Sequence, residues 1–339
     1  MIDIKRRRYV NVVAQQWLDW LNDYFTTVYT GNSRPWVIVG GRRKYFNSYA
    51  DKLYFQLESK IHEYARGHVA LDNWGMSLLN LYWLQFDKVI LASAAQLENW
   101  VNGMKMRRRQ PKRLIGMIKE VLVPYYETLS SLHGHDLVKA LGIKTCPYCN
   151  RQFIHSFEAM RAERPELDHF FPKALYPMFC LSFYNLIPVC HSCNHVKLES
   201  EIGVNPYNRG FKRKFVIVDK HGNKVSRSKI YKLTEAEIAL KFDGVDAAEE
   251  ENAKVLGLEN VYNKHTDYVK ELIDKTMAYD AYARKALVTS FQGAGYNPRQ
   301  VYDFVWGRHL MEAEYEDRPL SKLTKDMLDL LGIRRSKII

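Results

Sequence analysis

Apolar residues recur at three- and four-residue steps over the first 140 positions, and this spacing predicts helices. Trp17, Leu21, Tyr24 and Val28 form one stripe; Leu53, Leu57, Ile61 and Tyr64 form a second. The stretch from Met76 to Val101 is apolar nearly all round, which predicts a helix buried within its domain. Gly31-Asn32-Ser33-Arg34-Pro35 breaks the first helical region, and Gly40-Gly41 reads as a turn after Val37-Ile38-Val39. A second break is expected at Asn102-Gly103 and Arg107-Arg108-Arg109-Gln110-Pro111. The amphipathic helix beyond it carries Leu114, Ile118, Val121 and Leu122.

From Leu141 the pattern changes. Prolines 147, 165, 172, 177, 188 and 206 crowd together, helical periodicity is lost, and four of the five cysteines fall in pairs. Beyond this segment, Lys214–Val218 and Lys229–Leu233 flank His221-Gly222-Asn223 and read as a β-hairpin. Helix returns from Glu235, with Asn263, His265, Tyr268, Val269, Leu272 and Ile273 on one helix and Tyr279 to Phe291 continuing it or forming another. No internal repeat or low-complexity tract is present. The expected class is α+β, with mostly helical flanking regions around a small cysteine-rich unit. Residues 1–140 form the helical N-terminal region, 141–208 the cysteine-rich unit, and 209–339 a hairpin followed by helices.

Composition narrows the function. A chain of 339 residues with 47% hydrophobic positions folds into globular domains, which excludes a disordered or fibrous polymer. Lysine and arginine number 50 against 38 acidic residues, so the net charge of +12 points to a polyanionic partner. No stretch reaches the roughly 20 apolar residues of a membrane-spanning helix, and Lys5-Arg6-Arg7-Arg8 leads into no apolar signal core. Five cysteines are too few for a disulfide scaffold in a chain this long. A reducing cytoplasm is therefore the expected compartment.

The cysteines carry a definite chemistry. Cys146-Pro147-Tyr148-Cys149 and Cys190-His191-Ser192-Cys193 are two CxxC knuckles. Two intervening residues let both thiolates of a knuckle face one ion, and two knuckles complete a tetrahedral Zn2+ site. A closed four-thiolate site has no open position, so it is expected to be structural, holding together a unit too small to build much core. A redox CxxC pair is the alternative, although no βαβ pattern surrounds either knuckle. Cys180 reads as a small buried apolar residue.

Between the knuckles runs Glu166-Leu167-Asp168-His169-Phe170-Phe171-Pro172-Lys173, then Ser182-Phe183-Tyr184-Asn185-Leu186-Ile187-Pro188; Asn194-His195-Val196-Lys197 follows the second knuckle. A plain zinc ribbon needs none of these. Asp168 sets a hard oxygen donor beside a candidate general base, His169, and Asn194 is expected on the first turn of a helix facing the same point. Phosphodiester hydrolysis uses this combination: a divalent cation to stabilise developing charge and a neutral imidazole to take a proton from water. Oxygen donors suit Mg2+ or Mn2+, whereas thiolates suit Zn2+.

The order CxxC, Asp-His, Asn, CxxC-Asn-x-x-Lys resembles the HNH endonucleases, whose catalytic unit is a ββα-metal fold. The resemblance covers roughly Leu141 to Pro206, about a fifth of the chain. It implies that Asp168 ligates a catalytic Mg2+ or Mn2+, that His169 is the general base, and that Asn185 holds the loop between the strands so that His169 keeps its orientation. Asn194 would be the second metal ligand, standing where many family members have histidine, and Lys173 and Lys197 would reach the phosphate backbone of DNA, double-stranded by expectation. The wording Asp-His-Phe-Phe-Pro-Lys-Ala-Leu-Tyr-Pro, with Asn-Leu-Ile-Pro-Val-Cys, is similar to HNH proteins of bacterial anti-phage systems, such as Septu and retron-associated nucleases that work beside an ATPase partner subunit. Two other readings stay open: a zinc-stabilised nucleic-acid or protein-binding module without catalysis, and an HNH-type RNase.

Weaker signals have plainer expectations. His191 and His195 lie close to the site and could substitute as ligands or contact DNA, with an exposed or loop-packing role expected at least equally for each. His133-Gly134-His135-Asp136 reads as a polar loop and His265 as a hydrogen-bonded core histidine. Glu312, Glu314 and Glu316 read as a solvated face. Basic clusters at Lys5–Arg8, Arg42–Lys44, Arg107–Arg113, Lys212–Lys214 and Arg334–Arg335 together offer a distributed phosphate-binding surface.

Overall fold

Trp17, Leu18 and Leu21 are sealed from solvent along one side of a helix, as their spacing requires, and Leu53, Leu57, Ile61 and Tyr64 are buried on another. The structure is a computed structural model that describes residues 1–4, 9–28, 35–65, 79–80, 85–106, 112–157, 164–307 and 309–333. The described chain divides into two compact units. One comprises Arg7–Ile143 and Ile154–Glu201; the other comprises Met1–Arg6, Lys144–Phe153 and Ile202–Ile339.

The first unit opens with α1 (Val10–Thr26), a strand pair β1 (Trp36–Val39) and β2 (Arg42–Tyr45), and α2 (Tyr49–Ala65). Gly40 and Gly41 make the two-residue turn of the pair at φ +58° and +81°, the mirror-type conformation that glycine adopts without strain. Val28 lies past the end of α1 and is exposed, so the first stripe is one turn shorter than its spacing suggests. The apolar run of residues 76–101 is not one helix. Where it is described, it contains α3 (Phe86–Ile90) and α4 (Ala94–Met106), and residues 76–78 and 81–84 lie outside the described residues. The restart has a local cause. Ser93 accepts from the Gln96 amide while the Gln96 side chain accepts from the Ser93 amide, a capping box that begins a new helix. Asn102-Gly103 does not break α4, which continues to Met106; the other half of the expected break, residues 107–111, is outside the described residues.

The long α5 (Lys112–Leu141) buries Leu114, Ile118, Val121 and Leu122 and accommodates Pro124 within it. It also absorbs His133 to Asp136, which are helical and not a loop: His133 stacks on Trp20, and His135 bonds Ser156 at 2.8 Å. After residue 164 come β3 (Glu166–His169), β4 (Leu186–Val189) and α6 (His191–Lys197), an antiparallel strand pair followed by a helix that packs on β3.

The second unit contains β5 (Lys214–Val218), α7 (Arg227–Ile230), β6 (Ala239–Asp243), α8 (Ala247–Val255), α9 (Leu258–Tyr262), α10 (Thr266–Ala278), α11 (Ala281–Gly293), α12 (Pro298–Trp306) and α13 (Ser321–Leu330). Its strand pair corrects the sequence expectation. β5 pairs with Ala239–Asp243, and Arg227–Ile230 is helical where the second strand was expected. Asp219 gathers the His221 and Asn223 amides into a turn, but pairing beyond it stops at Val225, after which α7 begins. Leu240 and Phe242 alternate inward on β6, the pattern a half-buried strand requires. Asn263 and His265 sit at the junction of α9 and α10 and not on one helix. Asn263 bonds both backbone groups of Leu240. Tyr279 closes α10, and Asp280 caps a separate α11. Glu316 is buried, unlike the solvated residue expected there. No described helix is long and apolar enough to cross a membrane.

Candidate functional site

The sulfurs of Cys146, Cys149, Cys190 and Cys193 are buried and lie within 4.8 Å of one another, close enough to share one ion. Local backbone chemistry shapes each knuckle. In the first, the Cys146 amide donates to the Gln152 carbonyl and the Asn150 amide to the Cys146 carbonyl, at 2.9 and 2.7 Å. The Arg151 amide points at the Cys149 sulfur at 3.4 Å, an arrangement that favours a thiolate. The turn requires φ +49° at Asn150, a conformation asparagine tolerates better than most residues.

Asn150 does more than turn the chain. It is fully buried, its Nδ2 donates to the Tyr315 and Arg318 carbonyls, and its Oδ1 accepts from the Lys322 amide. That role was invisible in sequence, because all three partners lie about 170 residues away. His265 accepts from the Arg151 Nε at 2.9 Å, and burial followed by the Arg151 charge lowers its pKa.

The second constellation is built on β3. Register pairs Asp168 with Ile187 and His169 with Leu186, so both residues stand at the strand end that opens into the loop of residues 170–185. Asn185 ties that loop. Fully buried, it accepts from the Phe171 amide at 2.7 Å and donates to the Phe171 and Phe179 carbonyls at 3.2 and 3.0 Å. Three bonds from one amide fix the return path of the chain, and with it the exit direction of His169. Trp17 and Ser182 pin the same loop through bonds to the Leu181 and Val89 carbonyls, respectively.

His169 is buried, with its Nε2 3.0 Å from the Cys180 carbonyl and its ring edge-on to Tyr126 at 4.4 Å. A carbonyl only accepts, so Nε2 carries the proton and Nδ1 is the basic atom of the neutral ring. Burial is the main cause that pulls the His169 pKa down to about 3, against a smaller upward pull from the Cys180 bond; Lys173 and Lys197 add to the fall. The imidazole is therefore neutral at physiological pH. Between the ordinary value of 6.5 and about 3, the unfolded chain takes a proton that native His169 refuses. This group therefore removes stability as pH falls through that window.

Asp168 is also buried, and its two carboxylate oxygens lie 3.2 and 3.1 Å from the Lys197 Nζ, which in turn donates to the His169 carbonyl at 2.8 Å. This corrects the expectation for Lys197. It has no exposed surface, and an ammonium held by a carboxylate and a carbonyl in the interior cannot swing out to a phosphate backbone. It serves instead as the countercharge of Asp168. Breaking a buried pair by removing one partner leaves an uncompensated charge, so Lys197→Met is expected to lower stability by about 3–5 kcal/mol. Adding Asp168→Asn should restore most of the loss, and a denaturant titration reads both; an unchanged midpoint in Lys197→Met would contradict this role.

Asn194 stands on α6, and its Nδ2 donates to a Glu166 oxygen, which directs its Oδ1 away as the acceptor end. The other Glu166 oxygen lies 2.6 Å from the His191 Nδ1, and His191 stacks on His195. Lys173 is part-exposed, 3.5 Å from Glu127 and over the Tyr126 ring. Asp168, His169, Lys173 and Asn194 line one cavity of about 410 Å³, together with Lys119, Tyr126, Glu166 and His195.

Sequence reasoning missed Glu166, Tyr126 and the Cys180 carbonyl. Glu166 had a signal, because it stands two positions before Asp168 and so shares its strand face. Tyr126 and Cys180 had none. Cys180 itself is buried as expected, its thiol pushed up to about 12 by desolvation. Among the basic clusters, residues 5–8, 107–111 and 334–335 lie outside the described residues. Comparison with family models, curated proteins and solved structures gave no match to this chain.

Proposed function

We propose that this chain is a metal-dependent endonuclease of the HNH type that hydrolyses phosphodiester bonds in DNA, on a ββα-metal unit made of β3, β4 and α6. One observation carries the reading: a neutral, tautomer-fixed His169 stands beside the Asp168 carboxylate at the wall of a cavity that also presents Asn194 and Lys173. The donor set on that wall is oxygen-rich, with Asp168 and the Oδ1 of Asn194, and fits a hard cation. Asp168 and Asn194 would hold Mg2+ or Mn2+, which when bound stabilises charge developing on the phosphate oxygens. His169 Nδ1 accepts a proton from the attacking water, while the Nε2 bond to Cys180 keeps the ring aimed. Asn185 preserves that aim through the loop, and Lys173 binds a phosphate of the strand. The four-cysteine cluster would hold a structural Zn2+. The sequence resemblance extends the proposal to a nuclease effector of anti-phage defence that works with an ATPase partner.

A second reading draws on Lys197. Its ammonium already neutralises Asp168, as suits a zinc-stabilised binding module without catalysis. Digestion separates the two. Plasmid, single-stranded DNA and total RNA are incubated with the wild-type chain and Mg2+ or Mn2+, with and without a neighbouring ATPase. DNA cleavage that requires the cation is the expected result. Preferential RNA loss would move the substrate to RNA. Binding without cleavage in every arm would favour the module.

A further inference from the structure

The first strand pair carries an exposed face that the candidate site does not use. Register sets Trp36 opposite Tyr45 and Ile38 opposite Arg43, so these four side chains emerge on one face of the ribbon. Trp36, Ile38 and Tyr45 keep 44%, 44% and 46% of their surface in solvent. The Arg43 guanidinium lies 4.4 Å from the centre of the Trp36 ring. The opposite face is the packed one: Val39 is buried, and Lys44 pairs with Glu58 at 2.7 Å and lies over the Phe55 ring, both on α2. Docking of that face on α2 leaves the aromatic face turned outward.

We propose that this face is a stacking platform for an unpaired nucleic-acid strand, with Trp36 and Tyr45 receiving bases and Arg43 meeting the adjoining phosphates. The inference rests on the nuclease reading for the identity of the polyanion and adds the substrate class, a strand whose bases are unstacked. Charge selects this occupant. An apolar partner would match Trp36 and Ile38 but leave the exposed guanidinium of Arg43 without counter-charge. A nucleotide supplies a π-face and an anion together, and aromatic side chains accept any base by stacking. A duplex keeps its base faces inside the stack and offers the hairpin phosphates alone.

The test is fluorescence anisotropy of the full chain with a short labelled DNA strand and with the duplex of the same sequence, without added divalent cation so that nothing is cut. Trp36→Ala should weaken strand binding about ten-fold and duplex binding far less, with Trp36→Phe close to wild type because it keeps a stacking face. Arg43→Ala should weaken binding and reduce the salt slope by about one. Both positions are exposed, and a thermal melt shows whether each variant is folded; should Trp36→Ala melt early, Tyr45→Ala probes the same face. Wild-type strand affinity in Trp36→Ala, or equal losses for strand and duplex, would overturn the platform. His169→Ala must leave strand binding intact, which separates the two proposals. Selective loss in Trp36→Ala with no cleavage anywhere upholds the platform against the nuclease reading; His169-dependent cleavage with unchanged binding does the reverse.

Discussion

His169→Ala is expected to reduce DNA cleavage by a factor of about 10²–10⁴ while leaving DNA affinity and the fold in place, the range over which a positioned general base contributes. The structure explains why no neighbour replaces it. His169 is a buried imidazole kept neutral by desolvation, its Nε2 committed to the Cys180 carbonyl, so its Nδ1 is a base at every pH near neutrality. His191 and His195 line the same cavity, yet His191 is 80% exposed and bonded to Glu166. Among the described residues, neither is oriented by a backbone carbonyl in the way His169 is. Single-turnover cleavage of a labelled DNA strand and of its duplex, with saturating Mg2+ and enzyme, gives the chemical step directly. Undiminished cutting by His169→Ala would remove the imidazole from the mechanism. A loss matched by an equal loss of affinity would assign His169 to binding.

Metal occupancy of the four-cysteine cluster carries the second prediction. Apparent binding free energies of structural Zn2+ are about 10–16 kcal/mol in zinc-finger peptides. That is as much as the whole stability of an ordinary domain, about 5–15 kcal/mol. The purified chain is therefore expected to carry about one Zn2+, and Cys193→Ser to lose it together with the order of both knuckles. Hydrogen exchange should rise at residues 144–153 and along α6, whereas the amides of α1 and α2 keep their protection, because those helices are held by their own apolar contacts. Elemental analysis and exchange measured on the same sample check both halves. A metal-free chain with wild-type protection at the knuckles would show that packing alone holds them.

Spacing made part of the site legible. The paired CxxC knuckles are a local signal, since two intervening residues suffice to aim two thiols at one point, and the buried four-sulfur cluster is what that spacing demands. The juxtaposition of Asp168 and His169 was equally local. Lys197 was not legible. A lysine four residues past a cysteine on a short helix reads as a surface cation, and only the packing of α6 on β3 turns its ammonium inward onto Asp168. The restart of the helix at Ser93 was written in the chain as Ser-x-x-Gln, but the long apolar run around it concealed the cap. The partner of β5 was misassigned for a topological reason: the nearer run is close in sequence, yet alternation of buried side chains belongs to Ala239–Asp243.

Most of the N-terminal helices, the four thiols that gather, the order of Asp168, His169, Asn185 and Asn194, and the basic charge are legible in the chain. Each of these depends on residue type and short spacing, to which helical period and knuckle geometry respond directly. Long-range packing sets which nitrogen of His169 is basic, what neutralises Asp168, what Asn150 and Asn185 hold, and which face of the first hairpin remains in solvent. These depend on groups brought together from distant positions: the Cys180 carbonyl, the Lys197 ammonium, the carbonyls near residue 315 and the surface of α2. In a low-dielectric interior, what such neighbours accept or donate fixes the state of a buried polar group more strongly than its own identity does.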